Sequence, residues 1–154
     1  MPAHTSWFER VPKVELHVHL EGAIPLETTW YLVQKYGGDP SLPDIEALRR
    51  RFVFRDFPHF IDTWIWRNQF LREYEDFAVL AEAVARDLAS QNIRYVEAFF
   101  SPADYFRHGL KTQDLITAVR SGLNRVPDVE VALVVDLVRD TGPERAMVTL
   151  REVN

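Results

Sequence analysis

Between Lys13 and Leu20 the chain alternates strictly, with Val14, Leu16, Val18 and Leu20 on one side and Glu15, His17 and His19 on the other. A period of two predicts a strand. Pro25 sits where a helix can begin, and the segment after it runs to Gly37 and Gly38, a pair that reads as a helix stop. Asp44 is placed to cap a short helix reaching Arg50. From Pro58 to Leu71 the apolar positions Phe60, Ile61, Trp64, Ile65 and Phe70 follow helical spacing. Phe77, Leu80, Ala81, Val84 and Leu88 step by three and four, which predicts a helix over 75–90 with Asn92 just past its end.

The stretch IRYVEAFF (93–100) reads as a second strand, closed by Ser101–Pro102. A helix over 112–125 follows, with Thr112 as N-cap and Leu115, Ile116, Val119 and Leu123 as its buried stripe. VEVALVVDLV (129–138) is apolar on both faces, the pattern of a buried parallel strand. Pro143 begins a further helix, and residues 1–12 read as a lead-in. The order β, helices, β, α, β, α argues for an α/β fold with a parallel sheet, and leaves an open sheet and a barrel as alternatives.

Composition narrows the function classes. The 154 residues have the length of one domain and enough aromatic residues for a core, so disorder is not expected. A net charge of -5 argues against nucleic acid or an anionic membrane as the main partner. There is no cysteine, so disulfides, thiolate metal sites and cysteine nucleophiles are excluded, and any metal falls to His and carboxylates. No segment approaches the roughly 20 apolar residues that span a bilayer. The N-terminus lacks the basic start and apolar stretch of a signal peptide. The expectation is a soluble, cytoplasmic protein. The charged runs ALRRRF and FLREYED read as solvated helix faces.

The chemistry concentrates in KVELHVHLEG. Residues two apart on a strand point the same way, roughly 6.5–7 Å from each other along it. Two imidazoles at that spacing can converge on one ion, and neutral imidazole suits zinc or another divalent transition metal better than magnesium or calcium. Read without context, a solvated strand face explains His17 and His19 more simply. Their place at a strand end leading through Gly22 into a helix favours the metal, because α/β folds put their chemistry at that end. His4, His59 and His108 have no such pattern, and Glu15 reads as a supporting carboxylate. Glu97 and Asp136, expected on strands, could face a barrel interior or form structural pairs.

PKVELHVHLEGAIPLET closely resembles the first strand and turn of the adenosine deaminase family of metal-dependent amidohydrolases, and IRYVEAFFSP resembles that family's second strand. The resemblance runs from about Pro12 onward. It implies the N-terminal part, about three βα units, of a TIM-type (β/α)8 barrel, with residues 1–154 as one segment of it. It further implies hydrolytic deamination of an adenine-containing nucleoside or base, in which a zinc-activated water attacks C6 of the purine and ammonia leaves. His17 and His19 match the two metal ligands of the first strand, with His19 also against the substrate. Glu21 matches an acidic position that contacts the ribose in adenosine-specific members, and a Glu there leaves adenosine, adenine and other aminopurines open. Phe57, Phe60, Ile61 and Trp64 match an apolar lid over the purine, although aromatic residues at helical spacing are more often core, and core is the reading their spacing favours.

The family's later equipment is a third His, a Glu in an H-A-G-E motif, another His and an Asp. None of it occurs in residues 102–154, where His108 is the only histidine and sits in YFRHGL. The resemblance therefore implies first-strand metal ligands without catalytic residues in this chain, and an inactive chain in isolation. Three barrel strands would leave open parallel edges, which predicts self-association, element swapping or pairing with a missing C-terminal part. Two rivals stand beside this reading: another His-x-His barrel hydrolase of the cyclic amidase or phosphotriesterase kind, and a non-catalytic fragment or pseudoenzyme acting by association.

Overall fold

The computed structural model of the protein describes residues 6–138, 140 and 142–153. Its elements in chain order are α1 (Trp7–Arg10), β1 (Lys13–His19), α2 (Leu26–Lys35), α3 (Ile45–Arg51), α4 (Phe57–Asn68) and α5 (Tyr74–Ser90). They continue with β2 (Ile93–Phe100), a 3-10 helix (Pro102–His108), α6 (Thr112–Leu123), β3 (Glu130–Val135) and α7 (Pro143–Val153). The three strands form one parallel sheet in the order β1-β2-β3. Helical chain connects each strand to the next, so all three C-terminal ends lie at one end of the sheet. That is the α/β architecture and the parallel sheet expected from the alternating pattern.

The core sits between the sheet and helices α5 and α6. From α5 it takes Phe77, Leu80, Ala81, Val84 and Leu88, from β2 Val96, Ala98 and Phe100, and from α6 Leu115, Val119 and Leu123. Each fully buried Leu, Val or Phe stabilises this packing by about 1.5–3 kcal/mol. The steps of three and four in the sequence thus mark the faces that are buried. Helix ends follow the expected chemistry: Asp44 Oδ1 accepts from the amide of Ala47 at 2.7 Å, and Gly37 and Gly38 both have positive φ. Asn92 adopts a left-handed φ of 60° at the turn from α5 into β2.

Several expectations need correction. The alternation of β1 is broken by a bulge, since Glu15 pairs with Val96 but Val18 pairs with Ala98, so three residues of β1 face two of β2. Val14 and Leu16 on its apolar side are 61% and 57% exposed, because no described helix covers that side of an edge strand. β3 is an edge strand too, ending at Val135 and only half-buried, rather than a strand covered on both faces. Asp136 therefore lies just past the strand. Residue Lys111, not Thr112, is the N-cap of α6. Two short helices add to the expected elements, Trp7–Arg10 and the 3-10 turn after Ser101.

The run FLREYED is not a solvated face. Asp76 is 1% exposed and accepts from Lys35 Nζ at 2.6 Å, Tyr36 Oη at 2.5 Å and the amides of Arg72 and Glu73 at 2.9 and 3.0 Å. This one carboxylate ties the end of α2 to the start of α5. In ALRRRF, Arg51 is half-buried, with its guanidinium 4.2 Å from the centre of the Trp66 ring.

Candidate functional site

The bulge in β1 lies immediately before the two histidines, where an extra residue re-aims side chains. His17 and His19 are both exposed, with ring centroids 5.4 Å apart. Phe99 of β2 forms their floor, stacked under His17 at 4.3 Å and 5.7 Å from His19. Sequence reading did not single out Phe99; its signal was its place one residue before the end of the second strand, on the side that faces the pair.

Trp64 closes the other side of His19, edge-on at 5.9 Å. Phe60 lies 6.2 Å from Trp64, and Phe57 lies 6.0 Å from Phe60, so α4 presents a ladder of rings leading to the histidines. This overturns the core reading of these residues. Phe57 is 70% exposed and Phe60, Ile61 and Trp64 are half-buried, none of them in the core between sheet and helices. The buried face of α4 instead carries Thr63, Trp66, Arg67 and Asn68. Gly22 sets the spacing between β1 and α4: a Cβ there would lie 3.1 Å from both His19 O and Trp64 Cζ3.

Glu21 does not share the face of the histidines. It lies beyond the strand, in the turn, fully buried. Its Oε1 accepts from the amide of Ser101 at 3.1 Å, which joins the end of β1 to the end of β2, and its Oε2 has no partner among the described residues. Burial pushes its carboxyl up to about 7, against the opposing pull of the backbone amides. Asp104 and Asp136 add their negative charge in the same direction. Burial and Asp136 likewise raise Asp104. Tyr105 is buried with a hydroxyl that lacks a partner among the described residues, and burial raises its phenol well above the usual value.

The remaining candidates stand apart. Glu97 accepts from Tyr95 Oη at 3.3 Å on β2, and Glu15 is half-buried. His59 Nδ1 accepts from the Arg55 amide at the start of α4, and His108 pairs with Arg107. Burial and the neighbouring Arg107 and Arg72 lower the imidazole of His108. His4 lies outside the described residues. As a metal site, His17 and His19 provide two imidazole donors of the right chemistry. Among the described residues no group of three or more His, Asp or Glu side chains is arranged to hold an ion, so the pair fits half of a site.

Parallel βα units whose exposed polar groups gather at the C-terminal strand ends define the first part of a TIM-type barrel of the metal-dependent amidohydrolase kind. Solved structures of that kind superpose on the chain. An amidohydrolase from Burkholderia ambifaria with bound Zn matches 95% of this chain and 41% of its own, with a TM-score of 0.80 and 25% identity. The adenine deaminase of Arthrobacter aurescens matches 91% and 45%, with a TM-score of 0.74 and 24% identity.

The adenosine deaminase family model matches residues 12–151, and the chain belongs to that family. The adenine deaminase of Bordetella avium is 32% identical over 150 residues, 96% of this chain and 48% of that protein. The adenine deaminase of Cupriavidus metallidurans is 30% identical over 144 residues, 92% of this chain and 41% of that protein. The chain thus spans about half the length of the curated relatives it matches. Proteins of this family are metal-dependent hydrolases acting on C–N bonds. No helix among the described residues is long and apolar enough to cross a membrane.

Proposed function

We propose that the natural protein carrying this sequence hydrolytically deaminates an adenine-type base or nucleoside, releasing ammonia. The observation that carries the reading is the exposed His17–His19 pair at the C-terminal end of β1, floored by Phe99 and walled by the rings of α4. Deamination of adenine by the Bordetella and Cupriavidus relatives supports the choice of substrate class.

His17 and His19 would hold a divalent transition metal, zinc by the chemistry of the donors and by the bound Zn of the Burkholderia relative. A bound ion supplies Lewis acidity and an activated water. Two imidazoles leave such an ion short of the third protein ligand that a catalytic zinc requires, and the described residues gather no group of three donors. Phe60, Ile61 and Trp64 give a flat apolar wall for a purine ring, with Phe57 at its outer edge. Glu21, buried and bonded to the Ser101 amide, acts as a positioning residue that fixes the ends of β1 and β2.

The test is ammonia release by the natural protein from adenine and adenosine, with and without zinc. Zinc-dependent release from either supports the reading. Release from neither, by folded and metal-loaded protein, refutes it.

A further inference from the structure

Arg67 on the buried face of α4 is 4% exposed, yet it forms no salt bridge among the described residues. Its one hydrogen bond there is a long one, from Nη1 to the carbonyl of Gly22 at 3.4 Å, and its Nε is buried without an acceptor. Trp64 and Phe52 lie beside the guanidinium, with ring centres 5.0 and 5.8 Å away. Glu21 and Tyr105 face it electrostatically, but neither is bonded to it, and the Tyr105 hydroxyl has no partner among the described residues. Burial pulls the guanidinium down to about 10, which leaves it cationic at neutral pH. Glu21 lies near enough to offset part of the charge, but buried guanidinium donors left without a bonded acceptor are costly, and the open donors of Arg67 are free to take a further acceptor.

The space beside it suits such a partner. Arg67 lines a cavity of about 370 Å³ together with Gly22, Phe52 and, at the rim, the exposed Arg49, which pairs with Glu46 at 3.4 Å. An adjoining cavity of about 120 Å³ shares Gly22, Phe52 and Arg67 and continues to Phe60 and Trp64. Trp64 thus stands between Arg67 and His19, touching both. A guanidinium with unused donors, flanked by aromatic rings that exclude water, is suited to a bidentate carboxylate or phosphate.

We propose that Arg67, assisted by Arg49, forms an oxyanion subsite that takes a carboxylate or phosphate group of the ligand bound against His17 and His19. The identity of that ligand as an aminopurine rests on the proposed deaminase reading; the subsite itself does not. An aminopurine bearing an acidic substituent then binds more tightly than the same aminopurine without one. The competing account makes Arg67 a structural counter-charge to Glu21.

Binding to the natural protein, free of added metal, is followed by tryptophan fluorescence and calorimetry. The probes are adenosine, adenosine 5′-monophosphate, adenosine-5′-carboxylate, and inorganic phosphate and benzoate alone. The expected result is at least a tenfold preference for one anionic nucleoside over adenosine, and the preferred one distinguishes phosphate from carboxylate. Arg67→Gln should reduce that preference to within about twofold, and Arg67→Lys should restore part of it. Arg49→Gln, at an exposed position that leaves the fold intact, should lower the preference about threefold. Equal binding of charged and neutral nucleosides, or a preference that survives Arg67→Gln, overturns the proposal and favours the structural counter-charge. Arg67-dependent binding of phosphate or benzoate with no aminopurine bound upholds the subsite and refutes the deaminase reading. Binding and deamination of adenosine with no effect of charge does the reverse.

Discussion

Gly122→Ala probes the tightest approach in the fold. Gly122 is buried on α6 where that helix crosses α5, and a Cβ there would lie 2.1 Å from Ala78 O, 2.9 Å from the Ala78 carbonyl carbon and 2.9 Å from Ala81 Cβ. Its φ is ordinary for a helix, so the glycine serves closeness and not conformation. A carbon and a carbonyl oxygen rest at about 3.3 Å, so the helices must part by roughly 1.2 Å. The nearest obstacle is backbone, which has no rotamer to escape into. A gap of about 0.5–1 Å already forfeits a quarter to a half of the dispersion energy along the seam, and overpacking costs about 3 kcal/mol at the upper end of its usual range. Better helix propensity of Ala returns about 1 kcal/mol. The net loss of about 2 kcal/mol corresponds to a drop in Tm of roughly 4–8 °C for a domain of this size. Thermal and urea unfolding followed by circular dichroism measure it. A variant that melts at or above the parent would refute the close packing of α5 on α6.

Three further outcomes follow from the same geometry. Gly22→Ala should move Trp64 or the turn after His19, because both contacts lie at 3.1 Å; zinc affinity of the natural protein should fall about tenfold with less than about 1 kcal/mol lost in stability, and unchanged affinity would contradict the role of the turn. Asp76→Ala strands Lys35, Tyr36 and two amides, and urea unfolding should show a loss of about 3 kcal/mol or more, while a loss under about 1 kcal/mol would mean that the cluster is solvated. Burial and Asp76 raise the Tyr36 phenol to about 12 from its ordinary 10, so the folded state holds that proton longer than the unfolded chain. Stability from this proton is full below pH 10 and declines as the pH rises towards 12, and ultraviolet titration that finds Tyr36 ionising at 10 would contradict it.

The sequence predicted the elements well where one face is buried. The helix at 75–90 was legible because Phe77, Leu80, Val84 and Leu88 all point into one core, and periodicity reports burial directly. It misled where burial depends on neighbours distant in the chain. VEVALVVDLV has the composition of a doubly covered strand, but only topology tells an edge from a centre, and β3 is an edge. Phe57, Phe60 and Trp64 have the spacing of a core stripe, yet the opposite face of α4, with Trp66 and Arg67, is the buried one. The short helix at Trp7 carried a signal that went unread: Ser6 and Glu9 form a capping box. The 3-10 turn after Ser101 had none, since Ser-Pro reads equally as an end.

The candidate site divides in the same way. His17 and His19 could be found because the chemistry lies in adjacent strand positions. Arg67 could not, because its burial depends on packing against other elements, with Phe52 and Trp64 beside its guanidinium. Glu21 follows His19 by two positions, the spacing that would put it on the histidines' face of a continued strand, but the strand ends at His19 and the turn carries it inward.

Zinc-dependent ammonia release from adenine-type substrates, compared between the natural protein and its His17→Ala variant, tests the central claim most directly. The parent should release ammonia, lose the activity to a chelator and regain it with zinc, while the variant stays inactive with zinc restored. Deamination at the parental rate by His17→Ala, or none from any adenine-type compound by the zinc-loaded parent, would contradict it.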